Sequence, residues 1–227
     1  MTSQATGKTA IVYPESDGMP LPDGYFQGPL FREIVSTLAT HLRDQPDTTV
    51  SGNTFIYYQE GDPQRRIAPD LYVAFNISME SIIRHDTYLM WEVGKPPDFA
   101  LEIGSPSTAR NDLVFKRDLY ARLGIGEYWR YDKTGGDFYR EPLVGEYLVD
   151  GEYRRFEMRS GPGGMVWAHS PTLNLDLCWD EGRLRYYDPA ESRWLLNQDE
   201  EQSARLAAEA RVAELEAELR RLGGSPS

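Results

Sequence analysis

The sequence predicts a mixed α/β (α+β) fold in which strands are accompanied by helices and followed by a helical tail. Aromatic residues make up 12% of the chain, which is more typical of β-rich structure than of a helical bundle. Short β-branched and aromatic runs alternate with an amphipathic helical pattern in the first half. In the second half, Gly and Pro separate many short runs, which favours antiparallel strands.

Composition excludes several classes of protein. The 227 residues, 40% hydrophobic and 26% charged, indicate one globular domain with an appendage. No apolar run approaches the ~18 residues of a membrane span, and the N-terminus lacks the charged-then-apolar order of a signal peptide. We therefore expect a cytoplasmic protein with no membrane partner. The single cysteine, Cys178, excludes an internal disulfide and a cysteine-only metal site.

The charge balance bears on possible ligands. Against 36 acidic residues there are 24 basic ones, a net charge of −12. This excludes a global electrostatic attraction to nucleic acid. A local site could still bind a polyanion if a divalent metal neutralised its carboxylates.

The first half of the chain contains the clearest elements. Residues 1–28 are rich in Gly, Pro and Asp and predict an irregular lead-in to a main domain over 29–196. Four apolar residues recur about every four positions and predict an amphipathic helix: Leu30, Ile34, Leu38 and Leu42. The remaining patterns predict strands over 54–59, 71–75, 98–103 and 127–131, and a helix over 109–123 that ends at Gly124.

Short strands follow in the second half. The runs that predict them cover 137–140, 145–149, 153–158, 165–170, 173–179 and 183–187. A helical tail over 197–227 completes the chain, because 197–222 contains no Gly or Pro.

The tail also has a heptad pattern. Ala208, Val212, Leu215, Leu219 and Leu222 are spaced by four and three residues alternately, as in a coiled coil. Only about two heptads are visible, so a lone solvated helix is as good an interpretation as a short dimer interface. A dimer interface would make the protein a homodimer.

Four side chains form a candidate site. Asp70 begins a strand, Glu102 lies inside another, Lys116 lies on the following helix and Glu33 lies on the first helix. Two carboxylates on adjacent strands can hold a hard divalent cation, and a nearby lysine can stabilise charge on a phosphate. Alternatively, Asp70 is a turn residue, Lys116 is a solvated lysine, and Glu102 pairs with Lys116 or an arginine.

A longer motif relates these residues to a known family. Residues 96–132 contain a spaced series of motif residues: Pro97, Asp98, Glu102, Ile103, Ser105, Pro106, Ser107, Thr108, Asp112, Lys116, Tyr120, Gly124, Ile125, Glu127, Tyr128 and Trp129. With the upstream Pro69-Asp70-Leu71, this series closely resembles the signature of the Uma-two family of restriction-endonuclease-like proteins.

The resemblance implies the PD-(D/E)xK nuclease fold, a central mixed sheet flanked by helices. It implies that Asp70 and Glu102 are metal ligands for Mg²⁺ or Mn²⁺. Gly104 stands where the usual lysine would be, and Lys116 from the next helix takes that role. Glu33 resembles the auxiliary acid of the first helix, and whether it or Asp98 joins the site is left open.

Two functional hypotheses follow. The first is a metal-dependent endonuclease that hydrolyses DNA phosphodiester bonds, and the Asp70, Glu102 and Lys116 set favours it. The second is a non-catalytic module that keeps the nuclease fold for binding or assembly and dimerises through its C-terminal helix. The net charge of −12 favours the second. Hydrolysis of another phosphate-bearing substrate remains a third possibility.

Overall fold

Residues 13–14 and 27–223 are described by the structure, a computed structural model. The expected irregular lead-in, 1–28, lies almost entirely outside the described residues. The helices are α1 (Gln27–His41), α2 (Met79–His85), α3 (Met90–Val93), α4 (Ala109–Asn111), α5 (Arg117–Leu123) and α6 (Gln198–Gly223). The strands are β1 (Thr49–Ser51), β2 (Ile56–Tyr57), β3 (Arg66–Ile67), β4 (Leu71–Ala74), β5 (Tyr88–Leu89), β6 (Phe99–Ile103), β7 (Glu127–Tyr131), β8 (Leu143–Val149), β9 (Glu152–Arg155), β10 (Arg159–Ser160), β11 (Val166–Ser170), β12 (Leu175–Asp180), β13 (Arg183–Asp188) and β14 (Arg193–Trp194).

The largest sheet has six strands in the order β1-β4-β6-β7-β8-β9. Strands β6 and β7 are parallel, and the other neighbours are antiparallel, so the sheet is mixed. All residues of β6 and β7 are buried, as expected for strands covered on both faces.

Two smaller sheets accompany the large one. Strands β10 to β14 form an antiparallel sheet in sequence order, which confirms the antiparallel second half. Strands β3, β2 and β5 form the third sheet, in which β2 and β5 are parallel.

The two faces of the large sheet pack against different elements. On one face, the predicted stripe of α1 packs with alternate residues of β4 and β6 and with apolar residues of β12 and β13. On the other face, Leu119 and Tyr120 of α5 pack with Tyr72, Ala100 and Tyr128. The mixed sheet flanked by helices, with antiparallel strands and a C-terminal helix, confirms the predicted fold class.

Three predictions of local structure were wrong. The strand predicted over 54–59 is limited to Ile56–Tyr57. Residues 137–140 form a turn and not a strand, because the buried carboxylate of Asp132 accepts hydrogen bonds from the backbone N–H groups of Thr134, Phe138 and Tyr139 at 2.7–3.1 Å. The strand predicted over 153–158 ends at Arg155. The short helices α2 and α3 were not predicted from the sequence.

Helix α6 occupies most of the predicted tail, and its residues over 201–221 are exposed. Among the described residues, no helix combines the length and the apolarity needed to cross a membrane.

Close packing at Gly145 gives a prediction about stability. Gly145 of β8 is paired with Trp129 of β7, and a Cβ there would lie 2.7 Å from the Trp129 ring. Because Trp129 is fully buried and cannot move aside, we expect Gly145→Ala to reduce the free energy of unfolding by about 1–3 kcal/mol in urea titrations. The control is Gly28→Ala in α1, where the nearest atom is 3.6 Å away. Equal stability of the two variants would contradict this packing.

Candidate active site

Glu102 is the centre of the candidate site. It lies near the end of β6 on the face that packs against α5, and it is 1% exposed. Its Oε1 accepts a hydrogen bond from the Tyr120 hydroxyl at 2.6 Å, and its Oε2 accepts one from Lys116 Nζ at 2.7 Å. Glu102 is therefore a buried carboxylate with a donor on each oxygen.

Lys116 connects Glu102 to a second buried acid. Its Nζ lies 3.1 Å from Oδ1 of Asp112, which is fully buried. The other carboxylate oxygen of Asp112 accepts a hydrogen bond from the Tyr139 hydroxyl at 2.7 Å. One ammonium thus lies between two carboxylates, each of which is held by a tyrosine.

Asp70 faces Glu102 from the start of the neighbouring strand, β4. Leu71 of β4 is paired with Leu101 of β6, so the next step of this antiparallel register places Asp70 opposite Glu102. Directly opposite residues project from the same face with Cβ atoms about 4.5–5.5 Å apart. Oδ2 of Asp70 accepts a hydrogen bond from the Ile103 N–H at 2.7 Å, which fixes the carboxylate beside Glu102. We call Asp70, Glu102, Asp112 and Lys116 the carboxylate–lysine cluster.

A turn of π-helix supplies two members of the cluster. The predicted helix over 109–123 is interrupted between α4 and α5 by a π-helical segment, Asp112–Lys116. Its first and last residues face the sheet, whereas Leu113, Val114 and Phe115 between them are exposed. Single π-helical turns inside α-helices are rare and occur frequently at functional sites.

The cluster carries more negative than positive charge. Burial raises the pKa of Glu102 to about 8; the charges of Asp70 and Asp112 add to the effect, and Lys116 opposes it. Burial also raises the pKa of Asp70, against the hydrogen bond from Ile103 and the charge of Lys116. Burial alone would lower the pKa of Lys116, but the attraction of the carboxylates outweighs it and holds that pKa above its ordinary value. Lys116 therefore stays charged, and the three acids need a further proton or cation.

The structure does not bring Glu33 to this cluster. Oε1 of Glu33 accepts hydrogen bonds from Arg183 at 2.8 Å and from the side-chain amide of Asn197 at 3.0 Å. Glu33 thus joins α1 to β13 and to the start of α6.

Asp98 lies at the other end of β6 from Glu102. Its carboxylate accepts hydrogen bonds from Lys95 Nζ at 2.7 Å and from the Phe75 N–H at 2.8 Å. Four residue steps along the strand, about 13 Å, separate it from Glu102, so it is a structural partner of Lys95.

Three further side chains belong to the site, and the sequence pointed to two of them. Asp112 and Tyr120 share one helix side with Lys116 through their spacing of four residues, and this spacing was a usable signal. Tyr139 gave no such signal, because its segment was predicted to be a strand.

A divalent cation fits the donor set. Among the described residues, no group of three or more His, Cys, Asp or Glu side chains is arranged to hold a metal. Mg²⁺ does not require such a group, since it is usually bound by one or two carboxylates together with water and phosphate oxygens. Asp70 and Glu102 supply two facing carboxylates and an excess of negative charge, which meets this requirement.

Comparison with known proteins agrees with the sequence motif. The chain belongs to the family whose model is described as "Uma2: Putative restriction endonuclease", which matches residues 18–220. This confirms the resemblance found in the sequence. Among solved structures, the chain is similar to a protein from Anabaena variabilis described as a "putative nuclease belonging to DUF820". The two are 18% identical with a TM-score of 0.46, over 70% of this chain and 81% of that one. No curated protein matches the chain.

The raised pKa of Glu102 predicts how stability depends on pH. Below pH 4.5, the ordinary pKa of this carboxyl, Glu102 is protonated in both the folded and the unfolded protein. Between pH 4.5 and about 8, it stays protonated in the folded protein only. The stability that this proton contributes is therefore lost as pH rises through about 8. In the absence of metal, we expect Glu102→Gln to gain stability relative to the wild type across this range, as measured by urea denaturation at several pH values. Glu80→Gln on the exposed side of α2 is the control, and an E102Q difference that does not change with pH would contradict the assignment.

Proposed function

We propose that the protein is a nuclease that hydrolyses DNA phosphodiester bonds with Mg²⁺ or Mn²⁺. One observation carries the proposal. Asp70 and Glu102 face each other beside Lys116, in a buried cluster whose negative charge Lys116 alone does not neutralise. Membership of a family described as "Putative restriction endonuclease" supports a phosphodiester substrate.

The residues of the site have different roles in this proposal. Asp70 and Glu102 would hold the cation, which neutralises phosphate charge and lowers the pKa of a bound water. Lys116 would stabilise negative charge on the phosphate, and it is not the general base, because its raised pKa keeps it protonated. Tyr120 and Tyr139 act as positioning residues, since each donates a hydrogen bond to a carboxylate of the cluster.

The acidity of the chain is compatible with such a site if affinity for DNA depends on the metal. With a net charge of −12 the chain repels a polyanion overall, so binding of phosphates would depend on a local positive charge. The same charge favours the second candidate function, a non-catalytic module that retains the nuclease fold for binding or assembly.

Cleavage assays distinguish these two functions. We expect degradation of duplex or single-stranded DNA to require Mg²⁺ or Mn²⁺ and to stop with a chelator. Asp70→Asn, Glu102→Gln and Lys116→Gln should each lower the rate about 10²–10³-fold, and the combined variant should lose little more, because each change disables the same unit.

Lys95→Gln is the matched control. The Lys95 ammonium pairs with Asp98 at 2.7 Å, as Lys116 pairs with Glu102, but away from the site. Its variant should cleave DNA at the wild-type rate. Folded wild-type protein that cuts no nucleic acid with either metal would overturn the proposal in favour of the binding module. Cluster variants as active as the wild type would show that the activity comes from elsewhere.

A further inference from the structure

The first turn of helix α6 is held by hydrogen bonds and an ion pair. Asn197 Oδ1 accepts a hydrogen bond from the Glu200 N–H at 2.8 Å, and Glu200 Oε2 accepts one from the Asn197 N–H at 3.0 Å, a reciprocal capping box. Arg185 of β13 contacts Glu200 at 3.0 Å, and Glu33 of α1 accepts a hydrogen bond from Asn197. The first turn of α6 is therefore held by its own capping box and by two other elements of the fold, β13 and α1.

Beyond its first turn, α6 does not pack against the domain. Every residue over 201–221 is exposed, including four large apolar side chains: Leu206, Val212, Leu215 and Leu219. Most helical stability in proteins comes from packing of an apolar face and not from helix propensity. The apolar face of α6 therefore lacks the packing that such a helix normally has within its own domain.

The apolar residues assign a heptad register. Val212 and Leu219 occupy a positions, and Ala208 and Leu215 occupy d positions. In parallel coiled coils, a β-branched residue at a with leucine at d, as for Val212 and Leu215, favours two strands. In this register the flanking g positions carry Arg211 and Glu218, and the flanking e positions carry Glu209 and Glu216.

The flanking charges select one orientation of a pair of identical helices. In a parallel pair, each g residue faces the e residue of the next heptad on the other helix, so Arg211 faces Glu216 of the second copy, twice by symmetry. In an antiparallel pair, e faces e and g faces g. Attraction between Arg211 and Glu218 would then be offset by repulsion between Glu209 and Glu216. Charge complementarity therefore favours a second copy of this helix in parallel.

We propose that α6 pairs in parallel and in register with α6 of a second copy of this chain, through Ala208, Val212, Leu215 and Leu219. The contact makes the protein a homodimer. Because none of these residues belongs to the carboxylate–lysine cluster, the proposal is independent of the nuclease activity.

Disulfide trapping in the full-length chain tests the orientation. Ala208 lies at d, and Ala210 lies at f on the opposite side, so Ala208→Cys and Ala210→Cys are matched variants of exposed alanines. The natural Cys178 is 3% exposed and remains in both. In a glutathione redox buffer, we expect at least about tenfold more disulfide-linked dimer from A208C than from A210C, because pairing raises the effective thiol concentration. Equal yields would overturn the proposal.

Charge exchange tests the register. In sedimentation equilibrium, the wild type should form a dimer, and Arg211→Glu should weaken it about 10-fold, because two exposed attractive pairs become repulsive. Adding Glu216→Arg to R211E should restore the affinity, since the pair is then reversed and not removed.

An antiparallel pair of α6 helices or a monomeric chain would give different results in these experiments. Rescue of R211E by Glu218→Arg, and not by Glu216→Arg, would indicate an antiparallel pair and overturn the parallel one. Wild-type protein that stays monomeric at all concentrations would show that α6 is a solvated helix or binds a different partner.

Discussion

The contact of Lys116 with two buried carboxyl groups is the interaction on which the rest of the site depends. Its Nζ lies 2.7 Å from Glu102 and 3.1 Å from Asp112, so that without the lysine the acids of the cluster would be buried with no cation beside them. The surrounding elements therefore serve to place these groups. Strand β6 carries Glu102 on the face that α5 covers, and the π-helical turn brings Lys116 and Asp112 together. Two buried tyrosines satisfy the carboxylate oxygens that Lys116 does not.

The burial of these acids also affects protonation and the proposed binding of a metal. Burial raises the pKa of Glu102 to about 8, and the negative charges of Asp70 and Asp112 add to this effect while Lys116 opposes it. Without metal, the Glu102 carboxyl therefore retains its proton up to a pH of about 8. A divalent ion would replace that proton and would bring positive charge to the position where a phosphate could bind. The pH dependence of stability without metal and the proposed binding of a metal would thus have one origin, the burial of several acids beside a single lysine.

Much of this arrangement could be predicted from local sequence patterns, and the reasons for the exceptions are physical. The stripe of α1 and the alternation in β6 are periodic, and periodicity is visible in sequence. The π-helical turn leaves no such trace, because it changes the helix by local hydrogen bonding while the residue spacing stays compatible with an α-helix. Residues 137–140 resemble a strand, yet the Asp132 carboxylate holds them in a turn. Glu33 has its partners more than a hundred residues away, at Arg183 and Asn197, and no local pattern reports such contacts.

Crystals grown with Mn²⁺ offer the most direct measurement, because the anomalous scattering of manganese locates the ion without assuming its ligands. We expect one peak between Asp70 and Glu102, coordinated by a carboxylate oxygen of each, with Lys116 Nζ close to the same ligands. A site bound elsewhere, or no peak at saturating Mn²⁺ with the two carboxylates still facing each other, would contradict a metal-dependent role for the carboxylate–lysine cluster.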